Sequence, residues 1–146
     1  MPGALIPLLL LAGQAAIEPQ DSPEPPEPPA KAAPAIDWTT LPDLPYRTAP
    51  QMTPAMHDWA RGQVRARKCR ARRLVDGRPA VRVEVAVLVH SEDGVRATIP
   101  RAIGCPSIEQ YAAGLVAGFS RNNLTQRTAA PGAAWYRATV TFAWRQ

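Results

Sequence analysis

The stretch PAVRVEVAVLVHSEDGVRATIP, residues 79–100, decides the fold. Val81, Val83, Val85, Val87 and Val89 alternate with Arg82, Glu84, Ala86, Leu88 and His90. β-Branched residues at a period of two place one buried face on a strand at about 80–90. Ser91-Glu92-Asp93-Gly94 turns the chain, and Val95, Ala97 and Ile99 resume the alternation over 94–100. The pair reads as a β-hairpin with one apolar face.

That face needs a cover, and the sequence downstream supplies one. After Cys105-Pro106, Ser107 and Gln110 have the spacing of a capping box. Ile108, Tyr111, Leu115 and Phe119, flanked by Ala112 and Val116, make a helical stripe over about 107–121, which Asn122-Asn123 ends. Gly114 and Gly118 stand as GxxxG, a spacing that suits close packing of the helix on the sheet. Beyond Pro131-Gly132, a strand at about 133–144 puts Tyr136, Ala138, Val140, Phe142 and Trp144 on one face. Trp135, Arg137, Thr139 and Thr141 take the other face.

Upstream, Thr53-Pro54 has the N-cap and first-turn chemistry of a helix start, and Gly62 is a stop. A short helix over 54–61 therefore turns Met56, Trp59 and Ala60 inward. Residues 63–75 read as a weak strand whose Asp76-Gly77 suits a two-residue hairpin turn. The expected fold is α+β: an antiparallel sheet of three or four strands (63–75, 80–90, 94–100, 133–144), one main helix on one face, and the short helix.

Composition divides the chain near Pro54. Thirteen of the 17 prolines precede residue 55. Residues 16–55 carry six acidic side chains against Lys31 and Arg47, whereas residues 56–146 carry fifteen Lys/Arg against six Asp/Glu. The overall +5 thus joins an acidic tether to a basic domain. The tract 19–34, PQDSPEPPEPPAKAAP, favours polyproline II and spans about 50 Å. Residues 35–51, with Trp38, Leu41, Leu44 and Tyr46, suit an extended arm docked on the domain.

The first residues, MPGALIPLLLLAGQAAIE, have the apolar block and small residues of an export signal cleaved near Ala15 or Ala16. The expected division is a signal at 1–16, a linker over 17–53 and a globular domain over 54–146. The expected location is the periplasm, with an uncleaved inner-membrane anchor as the alternative. In that compartment Cys69 and Cys105 have one possible intrachain pairing, which closes a loop worth roughly 4 kcal/mol; two buried thiols are the alternative.

The segments VRVEVAVLVHSEDGV, SIEQYAAGLVAGF and the terminal TFAW, in that order behind an EP-rich tether, resemble the C-terminal domain of TonB-type energy transducers over about residues 79–144. The resemblance implies a periplasmic binding domain. On this reading a protein partner, from the envelope or outer membrane, adds a strand at the free edge of 134–144, with Trp135, Arg137, Thr139 and Thr141 as the outward side chains. The alternative rests on Arg65, Arg67, Lys68, Arg70, Arg72 and Arg73, within a run from Arg61 to Arg78. That strip suits an anionic membrane surface or lipopolysaccharide phosphates, or else a solvated edge that resists aggregation. In an exported protein nucleic acid is not the expected partner. No HExxH, GxSxG, P-loop or zinc-ligand spacing occurs, and His57, His90, Glu84 and Glu109 stand apart in the chain. Neither an enzyme nor a cofactor or metal is expected.

Overall fold

The computed structural model describes residues 35–74, 76–125 and 132–146. The readings of 1–16 as a signal and of 19–34 as a polyproline tether lie outside the described residues. From Ala35 onward the chain forms one packed unit. Its elements run α1 (Pro54–Arg65), β1 (Arg72–Arg73), β2 (Pro79–His90), β3 (Gly94–Pro100), α2 (Pro106–Ser120) and β4 (Ala133–Ala143). The fold is α+β, with a four-stranded antiparallel sheet and two helices among the described residues.

β2 is the spine of the sheet. β4 pairs with it from Ala80↔Ala143 to His90↔Ala133, while β3 pairs with Val85–His90 and β1 with Pro79–Ala80 on the opposite side. The five alternating valines are at most 4 % exposed, and they share the core with Ile108, Ala112 and Val116 of α2 and with Ala138, Val140 and Phe142 of β4.

Several local expectations are corrected. α1 runs through Gly62 to Arg65, because Gly62 does not take the left-handed conformation by which a glycine ends a helix. The anticipated strand 63–75 therefore shrinks to Arg72–Arg73. Leu74 N–H donates to the Arg78 carbonyl at 2.8 Å and Gly77 sits at φ +79°, so the hairpin closes over three residues and not two. Trp59 is 37 % exposed, although its ring lies 4.2 Å from that of Tyr111.

A bulge between Leu88 and Val89 shifts the β2–β3 register. Val95 therefore faces the core, whereas Ala97 and Ile99, paired with Leu88 and Ala86, face the other way. The buried stripe of α2 runs through Ile108, Ala112, Val116 and Ser120, with Tyr111, Leu115 and Phe119 at its margin. Gly114 and Gly118 are exposed, and a methyl added at either would meet no neighbouring atom, so GxxxG plays no packing role. Nor does Ser107 cap the helix: Cys105 is the N-cap, and Glu109 Oε1 accepts the N–H groups of Ile103 and Cys105, each at 2.8 Å.

Residues 35–53 belong to the packed unit. Leu44 is 5 % exposed in the core, and Tyr46 and Met52 pack against it. Asn123 ties this arm to the end of α2: its Oδ1 accepts Thr48 N–H at 2.9 Å, and its Nδ2 donates to the carbonyls of Thr48 (2.8 Å) and Phe119 (3.0 Å). On the sheet face opposite the core, the Arg101 guanidinium lies 5.6 Å over the Trp38 ring and bonds Glu84 at 2.5 Å.

Candidate functional site: the outer edge of the last strand

Along β4, side chains alternate faces, and backbone groups alternate between the β2 side and the outside. Arg101 N–H donates to the Glu84 carbonyl at 2.8 Å, so Glu84, Ala86 and Leu88 direct their backbone groups toward β3. Arg137, opposite Ala86, must then point its own outward. Thr139 and Thr141 share that orientation by period.

The arm occupies the first of these positions. Arg137 N–H donates to the Pro42 carbonyl at 2.7 Å, and Leu44 N–H donates to the Arg137 carbonyl at 2.7 Å, a one-residue parallel bridge. Asp43 reinforces it, its Oδ1 accepting from Arg137 Nη2 at 2.9 Å and Nε at 3.2 Å. These bonds, followed by the Coulombic attraction of Asp43, hold the guanidinium's pKa above its usual value. The edge expected from sequence to be free is thus occupied at Arg137 by a segment 94 residues upstream.

At the other end, Ala143 N–H donates to His57 Nδ1 at 3.1 Å, so α1 closes the strand's exit. Between these two closures lie Thr139 and Thr141. Among the described residues, no hydrogen bond meets their outward backbone groups. A cavity of about 420 Å³ opens there, between the arm and the strand, with Leu44, Tyr46, Met52, Phe119 and Val140 among its walls. Arg82, paired in register with Thr141, stands exposed at its rim. Burial raises the pKa of the Tyr46 hydroxyl, and a hydrogen bond with the Ser120 side chain opposes that rise.

Of the four predicted outward side chains, Thr139 and Thr141 line this groove, and Arg137 lines it while bound to Asp43. Trp135 lies further up the strand, opposite Leu88. The arm is legible in the sequence as an arm, but its docking point carries no sequence signal.

The arginine strip takes a form other than a single extended segment. Arg65 ends α1, Arg67 adopts φ 57°, and Arg72 and Arg73 form β1. Arg65, Arg67, Lys68, Arg70 and Arg72 are exposed, and none makes an ion pair among the described residues; Arg73 donates to the Gly77 carbonyl at 3.0 Å. Cys69 and Cys105 are paired across 36 residues with Cα atoms 5.1 Å apart, which pins this segment to the start of α2.

His90 lies beside Asp93 at the β2–β3 turn, away from His57, and Glu84 and Glu109 serve the fold through Arg101 and two backbone donors. Among the described residues no three His, Cys, Asp or Glu side chains gather as metal ligands, and no helix is long and apolar enough to cross a membrane. No known protein family, curated protein or solved structure matches the chain.

Proposed function

We propose that this chain is an exported, periplasmic TonB-like binding domain. It recognises an extended segment of an envelope or outer-membrane protein by strand addition at β4. The observation that carries the reading is the pair of outward backbone N–H and C=O groups at Thr139 and at Thr141, which meet no hydrogen bond among the described residues and lie in a groove between the docked arm and α1. Four backbone groups there supply affinity, and Leu44, Tyr46, Met52 and Phe119 supply apolar contacts for alternate side chains of the guest. The closures at Arg137 and Ala143 limit the guest to a short strand and fix its register. Binding of this kind needs no catalytic group, and the chain acts without one.

The test is selection of short peptides from a displayed random library against the full chain. Amide exchange of the selected complex should show protection at Thr139 and Thr141. Thr139→Pro, which removes one outward donor, should weaken binding by at least about tenfold. Peptides that leave both amides exchanging freely would sink the reading.

A second reading is favoured by the five exposed cations from Arg65 to Arg72 that make no ion pair among the described residues. On it the strip binds anionic lipid or lipopolysaccharide. The two separate by salt, since only the second weakens steeply as ionic strength rises.

A further inference from the structure

Beyond the strip and the β4 groove, the fold gathers cations from three distant parts of the chain into one depression. Arg61 of α1, Arg78 beside the β1–β2 turn and Arg145 just after β4 line a cavity of about 400 Å³, together with His57 and Trp144. Arg145 lies far outside the sequence run that contains Arg61 and Arg78.

The surrounding contacts arrange the donors. Arg78 uses Nε on Asp76 at 2.6 Å, which holds the guanidinium in place and leaves its two terminal nitrogens for another acceptor. Arg61 is half-buried and Arg145 exposed, and neither has an ion-pair partner among the described residues. His57 Nδ1 accepts the Ala143 N–H, so the proton of the neutral ring must sit on Nε2, which is then a donor. Asp58 is the one carboxylate in the lining and Asp76 is already paired with Arg78, so two carboxylates stand against the three guanidiniums.

We infer that this depression is a binding site for a phosphomonoester borne on a sugar or a lipid headgroup. Three guanidiniums and an imidazole N–H match a dianion with three terminal oxygens better than a carboxylate with two. Trp144 offers an apolar wall to the group that carries the phosphate. The volume suits a headgroup or monosaccharide, within the usual range for small-ligand sites. The site is independent of strand addition, and it differs from the strip in predicting selectivity for particular arginines over total charge.

The experiment titrates the full chain with glucose 6-phosphate, and separately with phosphatidylcholine vesicles doped with phosphatidic acid or with phosphatidylglycerol. Saturable binding of glucose 6-phosphate, with a shift of the His57 ring nitrogens, assigns a soluble source. Binding to phosphatidic acid vesicles alone assigns a lipid source. In either case Arg61→Gln and Arg145→Gln should each weaken binding about tenfold, and Arg65→Gln and Arg67→Gln less than about twofold. Arg61 is half-buried and the other three are exposed, and none makes an ion pair among the described residues, so the fold should tolerate the four changes. Equal losses from all four, equal affinity for phosphatidylglycerol, or no saturable binding at millimolar ligand would each overturn the site.

Discussion

The two edges of the sheet are protected by different means. On β3 the devices are local: the bulge at Leu88/Val89 interrupts the register, and Pro100, at an outward position, has no N–H to offer. On β4 the cover is remote, coming from Pro42–Leu44 at Arg137 and from His57 at Ala143. Local devices blunt a whole edge, whereas a remote cover closes only where it touches. The gap at Thr139–Thr141 is what remains, open between the two closures among the described residues.

Both edges depend on β2, so the largest expected effect comes from breaking it. Val85 is fully buried and pairs with Pro100 on one side and Ala138 on the other. Val85→Asp places an unpaired carboxylate in the core and should unfold the domain, at several kcal/mol against a total of about 5–10. Arg82→Asp, on the exposed face, should change stability by less than about 0.5 kcal/mol. Circular dichroism and denaturant melts of the two variants check this. A folded Val85→Asp protein would mean that β2 is not the common support.

Leu44→Ala attacks the β4 cover alone. Leu44 is the arm's core anchor, and its loss should cost about 2–4 kcal/mol through lost burial and the cavity left behind. It should also free the arm, so that the Arg137 amide exchanges faster while Ala97 and Ile99 amides, on the β3 side, keep their relative protection. Uniform acceleration across both edges would show that the arm is no separable cover.

Much of this arrangement is legible in the sequence, and the reasons for the rest are physical. The valine alternation, the turn at Ser91–Gly94 and the Tyr136–Trp144 alternation each carry a local period, and each leads to the observed strand. The bulge leaves no trace because one added residue leaves Val95, Ala97 and Ile99 spaced as before. The stripe of α2 is harder to place because its seam uses the small Ala112 and Ala113, while the larger Tyr111, Leu115 and Phe119 dominate any reading by size. Thr139 and Thr141 are legible as edge residues from their place in the last strand. The Asp43–Arg137 contact and the convergence of Arg61, Arg78 and Arg145 are not, since tertiary proximity across tens of residues has no periodic signature.

A smaller effect should follow from Tyr46, which lines the β4 groove and whose hydroxyl bonds Ser120 at the end of α2. Burial holds its pKa above 10.0 in the folded chain, so the unfolded chain releases this proton first as pH rises. Its contribution to stability is complete below the unfolded value and declines as pH climbs from there through the folded value. Tyr46→Phe should therefore flatten the fall in stability above pH 10 relative to the parent. Parallel alkaline profiles for the two proteins would remove Tyr46 from the account of the arm.

The smallest change in stability, and the sharpest test of the comparison, belongs to Pro100. Pro100→Thr restores an outward N–H on β3 without touching the core, and the released unfolded-state constraint costs at most about 1 kcal/mol. If β3 is blunted by that missing donor, the variant should self-associate at high concentration in analytical ultracentrifugation while its fold and its β4 groove stay as they were. Should it remain monomeric, the bulge alone protects β3, and the proline is there for the turn into Arg101. If instead the parent already associates through β3, the contrast between a blunted edge and an open one fails, and strand addition would have two sites to choose from.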